Sequence, residues 1–300
     1  MVQCSRLLWL FPSLSTAFAS TAHARHFTVA SDDWSCSADQ VSVSDDSFYR
    51  WVSDLKMEAP RFEGHHDFLC DDSLKDFETW GNCLPIATRL DEDECAGADR
   101  VDLLLSSQVP CQASVLHLLL VDVDAELTRA GGEPALVFGT LLGAVRDGGM
   151  IPFTEDADLG YQVQDDPMPM VRRRLQARGY HVFVDSIWRV CVGPTHPLAA
   201  RLYDPMLAAP IESCTGPYLD LYRMEPDPEV QGHWTIEGTQ RRNGSIPAEK
   251  LLPYSKVTLN SVEYDTVADP VDFLLEEYGA SYMRPMRDAR REKWRSGEYI

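Results

Sequence analysis

The sequence predicts a mixed β-sheet with helices packed on it. Strand-like and helix-like stretches alternate from Gln112 onward, and residues 180–192 hold two alternating runs joined near Asp185-Ser186, the pattern of an antiparallel strand pair. With 44% hydrophobic and 10% aromatic residues, the 300-residue chain can bury one large core or two modest ones.

Ahead of the ordered part, residues 1–24 read as a secretory signal peptide or a short signal anchor. Arg6 precedes the apolar run Leu7–Leu14, and Ala17-Phe18-Ala19 and Ala22-His23-Ala24 offer small-residue cleavage sites. The run is too short, and too interrupted by Pro12, Ser13 and Ser15, for a comfortable membrane span, and no later stretch is apolar enough for one. Residues 25–110 form an acidic, cysteine-containing front segment. Residues 31–110 alone hold 19 Asp and Glu against 6 Lys and Arg, a net of −13 out of −20 for the chain. Such a surplus argues against nucleic acid as a partner, because nothing basic is left to neutralise a phosphate backbone. A short helix is expected at Ser47–Met57 and a solvated loop at Asp91–Glu94. After Cys4, seven cysteines remain: Cys36, Cys70, Cys83, Cys95, Cys111, Cys191 and Cys214. An oxidising lumen favours disulfides among them, above all in the front segment. A zinc site from His65, His66, Cys70 and Cys83 is conceivable but has no C-x-x-C pair behind it.

From Ala113 to Arg129 the chain predicts a helix with Val115, Leu116, Leu119, Val123 and Leu127 as its buried stripe, stopped by Gly131-Gly132. Asp122 and Asp124 lie on it two residues apart, so they point about 200° away from each other, cannot share one ion, and read as a solvated edge. A short strand at Ala135–Phe138 then runs through Gly139-Thr140 into the helix-like run Leu141–Val145, an arrangement that faces backbone N–H groups toward an anion. Next, Thr154–Tyr161 as a strand places Asp156 and Asp158 on one face and Ala157, Leu159 and Tyr161 on the other. Two carboxylates so placed can hold a hard divalent cation; an acidic strand edge in an acidic protein is the plainer alternative. Pro167–Ala177 predicts a helix whose Arg172, Arg173 and Arg174 read as a solvated face or as phosphate-capturing groups. In Tyr218–Tyr222, Leu219 and Leu221 face inward and Asp220 lies between two tyrosines on the opposite face. Lys256–Leu259 is a further strand, and Asp269-Pro270 opens a helix over Val271–Tyr278 that Gly279 ends. Asn243-Gly244-Ser245 is an N-glycosylation sequon if the chain enters the secretory pathway, and otherwise a turn.

The stretch FGTLLGAVRDGGMIPFTEDADLG, residues 138–160, resembles the central motif of the LicD and fukutin-related phosphotransferases, which usually read G-T-L-L-G-x-x-R, then I-P-W-D, then D-x-D. The resemblance spans roughly Ala113–Pro285, and residues 111–300 are read as the corresponding domain. Phe153 stands where the family usually has Trp, and Thr154 where it usually has Asp. Asp220 matches the acidic residue of a later family strand, and Tyr278-Gly279-Ala280-Ser281-Tyr282-Met283 resembles the closing Y-G-x-x-Y-M pattern.

The resemblance implies an α+β, nucleotidyltransferase-type fold: a mixed β-sheet packed with helices. It implies an enzyme that moves a phosphorylated alcohol, such as phosphocholine or ribitol phosphate, from a CDP-linked donor to a glycan acceptor in the secretory pathway. On this reading Asp156 and Asp158 bind Mg2+ or Mn2+, and Asp220 completes the coordination or takes the proton of the attacking hydroxyl. Gly139, Thr140 and Gly143 let the backbone approach the phosphates. Arg146 pairs with them, or with an acid of its own loop. A nucleotidyltransferase that moves the nucleotide itself would use the same site, and a catalytically silent relative binding a glycan or a partner enzyme is the third possibility.

Overall fold

The computed structural model describes residues 62, 64–70, 82–86, 112–151, 154, 156–162, 166–207, 216–239, 245–284, 286–288 and 293–295. The signal segment, the expected helix at Ser47–Met57, the run Asp91–Glu94 and Asn243 lie outside the described residues.

A 3-10 helix at Gly64–Cys70 precedes α1 (Gln112–Arg129), β1 (Ala135–Leu136), α2 (Phe138–Arg146), β2 (Asp156–Gln162), α3 (Met168–Ala177), β3 (Tyr180–Asp185) and β4 (Ile187–Val192). Then come α4 (Ala199–Leu202), β5 (Tyr218–Pro226), β6 (His233–Ile236), β7 (Ile246–Pro247), α5 (Ala248–Leu251), β8 (Ser255–Leu259), β9 (Val262–Thr266) and α6 (Pro270–Tyr278). A small hairpin of β10 (Met286–Asp288) and β11 (Lys293–Arg295) stands apart. Among the described residues, nine strands form one mixed sheet in the order β3-β4-β5-β2-β1-β9-β8, with β6 on the end of β5 and β7 on β6. The pairs β2–β5 and β1–β9 are parallel and the others antiparallel. The α+β expectation therefore holds.

β2 sits at the centre of this sheet and is buried on both faces. The expected stripe of α1 is fully buried, and Leu118 and Leu120 beside it are buried too, each worth about 2 kcal/mol relative to exposure. Gly131, at φ 78°, ends the helix in a conformation that costs a glycine little. At the other end of the domain, Asp269 caps α6 by accepting from the Asp272 backbone N–H at 3.0 Å, and Gly279 closes it at φ 80°. The β3–β4 hairpin turns at Ser186 as expected, with Tyr180 opposite Val192 and Asp185 opposite Ile187.

Several expectations need correction. β1 stops at Leu136 and the helix begins at Phe138, so Gly139 and Thr140 lie in the first turn of α2 rather than in a loop before it. The zinc reading fails at Cys83, whose sulfur is paired with that of Cys191, the two Cα atoms being 5.6 Å apart, while His66 Nδ1 lies 2.6 Å from the Tyr203 hydroxyl. That cross-link reaches from the front segment into β4 rather than staying within the segment. Phe62, Leu69, Leu84 and Ile86 of the same segment are buried in the main core, so its described parts pack against the domain.

Asp122 and Asp124 do point apart, but neither is a solvated edge. Asp122 is buried, accepts from the Tyr180 hydroxyl and lies 3.9 Å from Arg178 Nη1. Burial first, and then Asp265, push the Asp124 carboxyl up to about 6, against the opposing pull of Lys256. The folded chain thus holds this proton more tightly than the unfolded one. Its contribution to stability is complete below the unfolded value of 3.8 and is lost as pH rises through about 6. Asp124→Asn should therefore stabilise the protein by about 2 kcal/mol at pH 8 and change little at pH 4, as urea unfolding at the two pH values would show.

Candidate metal and phosphate site

The parallel register of β2 and β5 brings the three predicted carboxylates together. Asp158 lies opposite Asp220 and Asp156 opposite Tyr218, and one oxygen from each of Asp156, Asp158 and Asp220 falls within 4.8 Å of the others. Alternation then sends Ala157, Leu159, Leu219 and Leu221 into the core, where all four are fully buried. The anchoring of the acids is thus the burial of their neighbours.

α2 closes over this carboxylate face. The backbone N–H of Thr140 donates to Asp158 Oδ2 at 3.2 Å, and the Asp158 N–H donates to Thr140 Oγ1 at 2.7 Å. A Cβ on Gly139 would stand 3.0 Å from Asp158 Oδ2, so a side chain there would crowd the acid. Phe138, which starts the helix, has φ 45°, a left-handed conformation costing a non-glycine residue about 1 kcal/mol or more. Its ring is fixed edge-on against Tyr222 at 4.7 Å and tilted against Phe273 at 5.6 Å.

The other predicted residues are placed differently. Gly143 meets the loop after the helix: its Cβ would lie 2.6 Å from the Gly149 carbonyl oxygen, so its lack of a side chain serves packing. Arg146, at the opposite end of α2 from Thr140, donates through Nε and Nη2 to Asp147, while its buried Nη1 has no hydrogen-bond partner among the described residues. Among the α3 arginines, Arg174 pairs with Glu126 at 3.4 Å and Arg172 lies over the Trp188 ring at 5.9 Å.

Two groups at the site escaped prediction. Arg189 of β4, buried and opposite Asp220, donates from Nε to Asp220 Oδ1 at 2.7 Å and pairs with Asp185. Tyr222 donates from its hydroxyl to Asp158 Oδ1 at 3.0 Å and lies 3.2 Å from Asp220 Oδ2. A lone arginine in the apolar run Ile187–Val192 was the available signal for the first, since arginine is rarely buried without a partner. The tyrosines flanking Asp220 on its own face were the signal for the second.

Electrostatics follow from crowding. Burial first, then Asp156 and Asp220, raise the Asp158 carboxyl well above the carboxylate range, while Tyr222 and Thr140 oppose the rise. Asp220 is pushed up to about 6 by burial, with Arg189 pulling it down and Asp156 up. The Tyr222 hydroxyl is driven up by burial and the surrounding acids, so it stays a neutral donor. Arg189 remains a cation despite burial because Asp220 holds it. Three clustered carboxylates with one guanidinium retain an excess of negative charge, and all their donors are hard oxygens. The set therefore fits a divalent metal ion.

Residues 134–266 match the family described as LicD/FKTN/FKRP, nucleotidyltransferase domain. This stretch of the chain is similar to the LicD-family domain. All three clustered carboxylates, with Arg189 and Tyr222, fall inside it, whereas α6 and the Y-G-x-x-Y-M resemblance lie beyond its end. The chain is also 32% identical over 168 residues to an uncharacterized protein of Rickettsia typhi (strain ATCC VR-144 / Wilmington), covering 56% of this chain and 46% of that one. A second uncharacterized protein, from Rickettsia prowazekii (strain Madrid E), is 32% identical over 81 residues, covering 27% and 30% respectively. The matches thus span less than half the length of either curated relative.

Proposed function

We propose that this LicD-like domain transfers a phosphorylated alcohol, of the phosphocholine or ribitol phosphate kind, from a CDP-linked donor to a glycan hydroxyl. The observation that carries this reading is the carboxylate cluster set beneath the first turn of α2. Asp156, Asp158 and Asp220 would hold Mg2+ or Mn2+, which supplies charge neutralisation to a diphosphate and its departing phosphate. Gly139 and Thr140 bring backbone and a bare Cα to the same place. The acceptor oxygen bonds to the phosphorus that carries the alcohol, the bond from that phosphorus to the bridging oxygen breaks, and CMP leaves as the hydroxyl proton is released to the medium. Incubation with CDP-choline or CDP-ribitol, Mn2+ and a glycan acceptor tests it: wild type should release CMP, and Asp156→Ala should not. Release of pyrophosphate from CTP in place of CMP would favour transfer of the nucleotide itself.

Thr154, the departure from the family pattern that motivates a silent relative, supports the active reading. Its hydroxyl donates to Asp156 Oδ1 at 2.7 Å, so the substituted residue orients the outermost carboxylate. Losing that bond costs about 1 kcal/mol. Thr154→Val should weaken Mn2+ binding about fivefold by isothermal titration, and an unchanged affinity would remove the argument.

We also place the protein in the lumen of the secretory pathway or outside the cell. Support comes from the signal-like N-terminus, the sequon at Asn243 and the pairing of Cys83 with Cys191 across 108 residues. A glycosidase-sensitive mass lost in Asn243→Gln would agree; a protein retained in the cytosol would not.

A further inference from the structure

We propose that Arg189 and Tyr222 are positioning residues that decide which oxygens of Asp158 and Asp220 a divalent cation meets. The inference rests on the metal-holding role proposed above and adds residues that the carboxylate motif does not contain.

Asp158 and Asp220 sit side by side on parallel neighbours, where repulsion would turn their carboxylates apart. Four contacts oppose that turn. Thr140 N–H holds Asp158 Oδ2, and Arg189 Nε holds Asp220 Oδ1. The Tyr222 hydroxyl lies between the two remaining oxygens, 3.0 Å from Asp158 Oδ1 and 3.2 Å from Asp220 Oδ2. Each carboxylate therefore has one oxygen fixed from outside the pair and one turned toward the space between the strands. Arg189 is itself held, by Asp185 beside the hairpin turn and by the Tyr218 ring 5.3 Å from its guanidinium. Tyr222 is held by Phe138, whose strained start to α2 keeps the aromatic contact. Partners that orient metal ligands are commonly worth 10–100-fold in affinity.

A rival role for Arg189 makes the opposite prediction. Three carboxylates and one guanidinium leave two formal negative charges, and removing the guanidinium leaves three. If Arg189 only compensates charge, a neutral replacement tightens cation binding; if it positions Asp220, the replacement loosens it.

The test measures Mn2+ binding to the full chain by electron paramagnetic resonance of the free ion, with melting temperature recorded on the metal-free samples. Tyr222→Phe, which keeps the ring against Phe138, should bind Mn2+ about tenfold more weakly, and Arg189→Met about tenfold to a hundredfold more weakly. Arg189→Lys, which restores charge without the Nε geometry, should remain weak. Wild-type affinity in Tyr222→Phe, or equal or tighter binding in Arg189→Met, overturns the proposal. If Arg189→Met does not fold, Tyr222→Phe decides. If wild type binds no Mn2+, the metal-holding role itself fails and this inference fails with it, whereas binding by wild type with unaltered variants sinks this inference alone.

Discussion

Asp158→Asn should slow release of CMP by about three orders of magnitude and, in metal-free protein, raise the melting temperature. Both effects come from one fact: a carboxylate is buried beside two others. Activity should fall about 10³-fold, the scale of roughly 4 kcal/mol of lost transition-state charge stabilisation. Stability should rise by about 1–2 kcal/mol, or a few degrees, because asparagine has the same shape, still accepts from Tyr222 or the Thr140 N–H, and carries no charge to crowd Asp156 and Asp220. Adding Mn2+ should reverse the order, since an ion that binds the native state stabilises only the chain that can hold it. Thermal melts with EDTA and with excess Mn2+ give the comparison. A variant that keeps its activity, or one that gains from Mn2+ as wild type does, would remove Asp158 from the ligand set.

What could be read in the chain was whatever depends on neighbours in sequence. Period-two alternation puts Asp156 and Asp158 on one face and sets Asp220 opposite Leu219 and Leu221, the family resemblance singles Asp220 out as the third carboxylate, and the capping pattern finds α6 from Asp269 and Gly279. What depends on neighbours in space was not legible. Arg189 and Asp220 are 31 residues apart and meet only because β4 flanks β5. The order of strands in a sheet leaves no local mark.

Asp122 shows the same limit from another side. Helix geometry correctly separated it from Asp124, but an angle says nothing about what waits at the end of it, here Tyr180 and Arg178. Glycine usually marks a turn, and the sequence around Gly139 reads as one. Its bare Cα is instead spent on closeness to Asp158 inside a helix, and sequence pattern alone does not separate the two uses.

Arg178→Met should lower the unfolding free energy by about 3 kcal/mol while leaving Mn2+ affinity at its wild-type value. Arg178 ends α3 and is nearly buried, with Nη2 2.8 Å from Glu126 and Nη1 3.9 Å from Asp122. Both acids belong to α1 and are buried, so the ion cluster ties α1, α3 and β3 together. Removing one member of a buried ion pair is costly because the other charge is left without its partner, and values of about 3–5 kcal/mol are typical. Here the lower figure applies, since Glu126 retains Arg129 and Arg174 and Asp122 retains the Tyr180 hydroxyl. Adding Glu126→Gln to Arg178→Met should recover part of the loss, a coupling that a double-mutant cycle in urea would read directly. The cation site is built on β2, β5, β4 and the first turn of α2, so Mn2+ titrations below the melting transition should not separate the variant from wild type. A loss of Mn2+ affinity in the folded variant would show that the cluster on α1 and α3 supports the site and is not a fastening of the helices alone.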